Sequence, residues 1–253
     1  MKILIREDPS HLGKAAGQLA AQVIRQAIAK KGHAEIILAT GTSQFETLDQ
    51  LIKEDIDWGK VSMFHLDEYI GLSESSPASF RKYLKERFIQ KIAPLKEIHW
   101  VDGEGDPLEE CKRLGEKINK KFVDLALVGI GENGHLGFND PPADFETEDP
   151  FIVVSLDEAC RQQQFGEGWF KKIDDVPRQA ITMSVRQILK SSQIICSVPE
   201  RRKAQAVKNC LELPLSVWHP ASILQTHQNC FCFLDKSSSS LLSKLNADMH
   251  DGL

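Results

Sequence analysis

Three stretches of the chain carry side chains able to move protons or hold an anion. Asp67-Glu68 is a pair of adjacent carboxylates, and Asn133, His135 and Asp140 surround a glycine-rich turn. A carboxylate within hydrogen-bond reach of a carbon beside a carbonyl can take its proton. A histidine exchanges a proton with an oxygen near neutral pH. Thr40-Gly41-Thr42-Ser43 offers hydroxyls and free backbone N–H groups ahead of an expected helix, an arrangement that favours an anion, typically phosphate. It lacks the GxxxxGK[ST] spacing of a nucleotide phosphate loop. Arg201-Arg202-Lys203 opens another expected helix. A cation in a first turn opposes the helix dipole, which is easier to understand if one of the three faces an anion. Each signal has a plain alternative: solvated turn carboxylates, ordinary helix caps, a solvated basic helix start, a surface histidine. Strand, glycine loop and titratable cluster occurring together point instead to a site.

The elements that must carry these residues are legible from hydrophobic pattern. Val123 to Ile130 is an almost unbroken apolar run, as in a strand buried on both faces of a parallel sheet. Gly129, Gly131 and Gly134 break it, and the polar cluster follows at its carboxyl end, where open α/β folds bind small molecules. Gly129-Ile130-Gly131-Glu132-Asn133-Gly134 has the GxGxxG spacing, but Asn139-Asp140-Pro141-Pro142 interrupts the helix a dinucleotide site needs. Further strands are expected at Lys2–Arg6, Ile36–Ala39, Val61–Leu66, Ile98–Val101, Ile152–Ser155, Ala180–Val185, Ile194–Val198 and Cys230–Leu234. Helices are expected from Pro9 to Gly32, Phe45 to Lys53, Ser79 to Ile92, Leu108 to Lys121 and Arg201 to about Leu211. The segment Asp157 to Phe170, with Arg161-Gln162-Gln163-Gln164 and Gly166-Glu167-Gly168, has no decisive period. Strands alternating with helices imply a single α/β domain over residues 1–253, a Rossmann-like sandwich with a mostly parallel central sheet flanked by helices.

Composition narrows the partners. The 253 residues carry a formal charge of −5, which gives no support to nucleic-acid or membrane binding but leaves room for a local cationic pocket. The N-terminal MKILIRED has too short an apolar run for a signal peptide, and no segment reaches the length of a membrane span. The six cysteines form no CxxC pair, and Cys196, Cys230 and Cys232 lie in apolar runs as buried thiols would. A cytoplasmic protein is expected. His219 and His227 have no metal-ligand pattern and read as structural or surface residues; neither a metal nor a cofactor is expected.

The combination FHLDEYIGL, GIGENGHLGFNDP and RRKAQAV resembles the glucosamine-6-phosphate deaminase/isomerase family, and the likeness extends to TGTS after the second strand and ASILQTH near the end. The related 6-phosphogluconolactonases carry DER where this chain has Asp67-Glu68-Tyr69, and GHxAS where it has Gly134-His135-Leu136-Gly137-Phe138. The resemblance implies conversion of an amino-sugar phosphate to fructose 6-phosphate and ammonia, without a redox cofactor. A homo-oligomer is a separate expectation. The resemblance further implies that Asp67 moves a proton from C2 to C1, with Glu68 as the neighbouring candidate, and that His135 opens the sugar ring. Asn133 and Asp140 then orient that histidine, Gly134 contacts substrate, and Thr40, Gly41, Thr42, Ser43 and Lys203 hold the phosphate. The chain departs from the family in having Asp140 where Glu is usual and uncharged Asn133 where some members have Asp. It also lacks a second phosphate cation in an SRFF-like context, for which CRQQQFGEGWF offers Arg161 as substitute. A lactone hydrolase of the same fold and a non-catalytic sugar-phosphate sensor are the alternatives. Among the three cations, Lys203 is expected to anchor phosphate, and Arg201 and Arg202 to matter much less.

Overall fold

The computed structural model describes residues 1–243, so residues 244–253 of the expected domain lie outside the described residues. β1 (Lys2–Arg6) leads into α1 (Pro9–Lys31). The Asp8 carboxylate accepts from the His11 N–H, Pro9 sits in the first turn, and Gly32 ends the helix at φ 81°. Leu12, Ala16, Ala20, Ile24 and Ala27 recur at helical spacing and form its buried face.

The chain continues through β2 (Ala34–Leu38), a short 3-10 helix (Thr42–Gln44), α2 (Phe45–Leu51), β3 (Val61–His65), β4 (Asp67–Tyr69), α3 (Phe80–Arg87), β5 (Glu97–His99) and α4 (Pro107–Ile118). There follow β6 (Leu125–Val128), β7 (Phe151–Ser155), α5 (Glu158–Gly166), β8 (Gln179–Met183), α6 (Val185–Leu189), β9 (Gln193–Val198), a 3-10 turn (Arg201–Lys203), α7 (Ala204–Glu212), a 3-10 helix (Pro220–Thr226) and β10 (Cys230–Asp235). Seven strands form one sheet in the order β1-β10-β9-β6-β2-β3-β5, and every pair is parallel. Ile36 and Leu38 pack into one core with Leu125 and Leu127, while Ile37 packs into the other with Ala126 and Val128. Both faces of the central strands are therefore buried, which is why β6 reads as a continuous apolar run.

The expected parallel α/β sandwich is present, with one addition. β4, β8 and β7 form a separate antiparallel sheet in that order. Leu66 joins the two sheets, because its N–H donates to Leu38 O at 3.1 Å and its carbonyl accepts from Met183 N at 2.9 Å. Asp67-Glu68 is thus the start of a buried strand rather than a solvated turn. A strand of charged residues has no apolar alternation to announce it. Tyr69, Phe80, Phe138, Cys160 and Ala180 fill the third core, between this sheet and α3 and α5. The stretch from Asp157 resolves as α5, capped by the Asp157 carboxylate on Cys160 N. All six cysteines are free thiols and only Cys111 is not fully buried. Among the described residues, no helix is long and apolar enough to cross a membrane.

Candidate active site

Sheet order decides where a cleft can form. After β2 the chain moves outward through β3 to β5, then returns to the other side of β2 with β6 and continues to β9 and β10. The loops leaving the carboxyl ends of β2 and β6 therefore diverge, which opens a crevice between them. A cleft lies there, lined by Thr40, Gly41, Thr42 and Ser43 after β2, Gly129, Gly131 and His135 after β6, Asp67, and Lys203 after β9.

Asp67 is buried, and its Oδ1 has no hydrogen-bond partner among the described residues. Burial, then the neighbouring Glu68 carboxylate, push its pKa well above the ordinary carboxylate value against an opposing Phe138 N–H. Adjacent strand residues face opposite ways, and Glu68 points away from the cleft. Its carboxylate accepts from Tyr69 N at 3.0 Å, Ser79 Oγ at 2.9 Å, Phe80 N at 3.1 Å and Arg81 N at 2.8 Å. Glu68 thereby holds the first turn of α3 and, at 3.4 Å, the Arg81 guanidinium. The two carboxylates do different jobs, and only Asp67 is aimed at the cleft.

His135 Nδ1 lies 3.2 Å from Asp140 Oδ1. Asp140 Oδ2 accepts from Asp157 N at 3.0 Å, while Asn133 Nδ2 reaches Asp140 Oδ1 at 3.3 Å and Asp157 Oδ2 at 3.1 Å. Burial works against the charge on Asp140, but His135, Asp157 N–H and Asn133 outweigh it and hold its pKa below the ordinary value. Asn133 Oδ1 also accepts the His135 N–H at 3.0 Å, so one amide fixes both the backbone and the carboxylate behind the imidazole. Gly131 completes the support: a Cβ there would meet the His135 ring at 2.2 Å, so glycine alone lets the imidazole lie across the loop. Gly137 sits at φ 61°, and a Cβ there would crowd Thr182 Oγ1 at 3.0 Å and Asp67 Oδ2 at 3.3 Å. One set of donors could take a metal ion: His135, Asp140 and Cys160 offer one atom each, all within 4.8 Å of one another. Cys160 is a reluctant member, since burial, then Asp140, push its thiol pKa well up.

Lys203 is buried at the cleft, and burial, then the Arg202 charge, pull its pKa down to about 8 against the pull of nearby carboxylates. An unpaired ammonium so placed favours an arriving anion. Two expected members are elsewhere. The Arg161 guanidinium is buried on Val176 O at 3.2 Å, Ile173 O at 2.9 Å and the Glu158 carboxylate at 3.2 Å, locking α5 to the following loop instead of facing the cleft. Gly134 turns its carbonyl to Ala221 N at 2.9 Å, and a Cβ there would approach Cys210 and His219, on the side away from the cleft. His227 bonds Ser191 O at 2.9 Å.

One wall of the cleft comes from α5 and its C-cap residue, a stretch that periodicity did not resolve. Gln163, Gln164 and Glu167 line the cleft. Gln164 Oε1 accepts from Tyr69 OH at 2.8 Å, and Gln163 bonds Glu132 N at 2.7 Å and Glu167 Oε1 at 3.2 Å. The available signal was Asp157 ahead of Glu158, a helix start that puts these three residues near its last turn.

The sequence profile of the family described as glucosamine-6-phosphate isomerases/6-phosphogluconolactonase matches residues 7–232. A glucosamine-6-phosphate deaminase of Oenococcus oeni is 35% identical over 230 residues, 90% of this chain and 95% of that one. One of Bacillus cereus is 34% identical over 251 residues, 99% of this chain and 92% of that one. A solved structure described as a monomeric glucosamine-6-phosphate deaminase superposes with a TM-score of 0.85 at 34% identity, over 95% of this chain and 100% of that one. A 6-phosphogluconolactonase of Thermotoga maritima shares the fold at 16% identity, with a TM-score of 0.77 over 93% of this chain and 99% of that one.

Proposed function

The chain belongs to the family of glucosamine-6-phosphate isomerases and 6-phosphogluconolactonases, and on that premise we propose that it is a glucosamine-6-phosphate deaminase. The observation that supports this most is the convergence of a buried carboxylate with one oxygen free of partners among the described residues, a carboxylate-backed imidazole and a buried ammonium on one cleft. The phosphate rests on the loop Thr40–Ser43 and Lys203. His135 exchanges a proton with the ring oxygen and so opens the sugar to its aldehyde; Asp140, Asn133 and Asp157 keep the imidazole aligned for that step. Asp67 then takes the C2 proton and returns it to C1. The carbon–nitrogen bond becomes an imine at C2, and addition of water releases ammonia and leaves fructose 6-phosphate. Burial raises the basicity of Asp67, which suits removal of a weakly acidic C–H. Glu68, Gly134 and Arg161 support these residues without touching substrate.

The proposal places this chemistry in one domain of residues 1–253, in the cytoplasm, where free thiols persist. It calls for no nucleic acid, membrane or redox cofactor.

The test is ammonia release from glucosamine 6-phosphate after exhaustive chelation, with 6-phosphogluconolactone and the other hexosamine 6-phosphates in parallel. Ammonia and fructose 6-phosphate are expected from glucosamine 6-phosphate. Hydrolysis of the lactone without ammonia would instead make the chain a lactonase. Tight binding with no product would make it a sensor. Recovery only on adding metal would turn His135, Asp140 and Cys160 into a metal centre.

A further inference from the structure

We propose that Arg202 is a second phosphate cation of the cleft, held at rest by carboxylates and handed to the substrate phosphate when it arrives. The inference rests on the sugar-phosphate reading of the site and adds a residue that sequence reasoning set aside. Its first support is position. Arg202 Nη2 donates to Thr42 Oγ1 at 2.8 Å, inside the loop that would receive the anion, and Arg202 is the chain neighbour of Lys203. Arg201, by contrast, bonds Ser240 away from that loop.

Its second support is charge balance. A phosphate monoester carries about 1.5 to 2 negative charges at neutral pH, and Lys203 supplies one positive charge. A guanidinium offers a planar fork that bonds two phosphate oxygens at once. The fork of Arg202 is now spread over Glu200 at 2.6 Å, Glu132 at 2.8 Å and Glu167 at 3.9 Å. Glu132 and Glu200 are solvent-facing, whereas the Glu167 side chain is only 4% exposed. The contact to the buried Glu167 carboxylate is the longest of the three and too long for a hydrogen bond. Glu167 lines the cleft and is kept there by Gln163, so it remains as a negative wall against which the arriving phosphate must compete.

Arg202→Ala, Arg202→Lys, Arg201→Ala and Glu167→Gln separate the contributions. Inorganic phosphate binding is read by calorimetry, and KM and kcat for glucosamine 6-phosphate by ammonia release, with folding checked by thermal melts. Arg202→Ala is expected to weaken phosphate binding and raise KM by about tenfold or more, the range of one charge-assisted hydrogen bond, with kcat little changed. Arg202→Lys should recover part of that loss, and Arg201→Ala should match the wild type. Glu167→Gln should tighten phosphate binding by removing the competing charge. Unchanged phosphate affinity in Arg202→Ala, or an equal loss in Arg201→Ala, would overturn the proposal; so would weaker phosphate binding in Glu167→Gln. Because phosphate binding is measured without turnover, the two readings fail separately. Arg202-dependent binding without ammonia sinks only the deaminase reading, and ammonia with Arg202-independent binding sinks only this one.

Discussion

At the scale of single residues, the two carboxylates at 67 and 68 show how much a side chain's surroundings decide. Their types announced acid–base chemistry, but only the strand geometry separates them. Asp67 faces the cleft with an unpaired oxygen, and Glu68 faces α3 with four donors. Asp67→Asn is expected to keep the fold and cut kcat by about 10² to 10⁴, because an amide cannot accept the C2 proton. Exchange of the C2 hydrogen with solvent should fall in step; wild-type exchange in the variant would move the base elsewhere. The pH profile gives an independent check. A base must be ionised, and burial with the Glu68 charge raises the Asp67 pKa, so kcat/KM should fall with acid already above the ordinary carboxylate range. An acid limb at the ordinary value would count against Asp67. His135 and Asp140 were readable from type and spacing, because a short loop keeps close residues together. Asp157 was not, since it reaches Asp140 from a helix start that follows a strand of the other sheet.

At the scale of elements, the cleft depends on chain ends fixed by caps. Glu68 satisfies the N-terminal N–H groups of α3 from a strand, a long-range substitute for an N-cap, beside the local cap from Ser79. Glu68→Gln turns acceptors toward donors with a donor of its own. A loss of about 3 kcal/mol or more in unfolding free energy is expected, with kcat far less affected than in Asp67→Asn. Equal stability with lost turnover would instead make Glu68 catalytic. The turn Arg201–Lys203 delivers the buried ammonium, and its expected pH behaviour has a definite sign. Lys203 in the free protein titrates at about 8. A bound phosphate favours the charged form, so the ammonium pKa is higher in the complex than in the free protein. Affinity for the phosphorylated sugar is therefore full near neutral pH and declines as pH rises past about 8. KM measured across that range should climb for wild type and stay flat for Lys203→Arg, whose charge persists; a wild-type KM that does not climb would remove Lys203 from the phosphate site. The strands and the long helices were legible because burial on both faces or on one stripe leaves a period in the sequence. α5 was not, because three of its four buried residues, Arg161, Gln163 and Gln164, are held by polar contacts, and polar burial leaves no hydrophobic period.

At the scale of the molecule, the sheet's order does the assembling. Residues from the ends of β2, β3, β6 and β9 are far apart in sequence, yet the reversal beside β2 brings their loops to one crevice. Parallel strands and βα alternation made that edge predictable, whereas the three-stranded sheet that carries Asp67 was hidden by its charged first strand and by partners over a hundred positions away, as Asp67 opposite Thr182. Long-range pairing of that kind leaves no local trace. One consequence concerns assembly. Lys203, Asp67, His135, the loop Thr40–Ser43 and the α5 wall all come from a single chain, and their supports Glu68, Asp140 and Asn133 do as well. A site made by these residues alone should keep its specific activity on dilution through any dimer dissociation. Assays from micromolar to nanomolar protein, followed beside the sedimentation coefficient at the higher concentrations, check this. Constant turnover per chain is expected whichever species sediments. A fall in specific activity that tracks dissociation would mean that a neighbouring copy closes or stiffens the cleft, and α5, whose Ala159, Gln162, Gln163 and Gly166 line a second depression with Arg202, would be the first surface to examine.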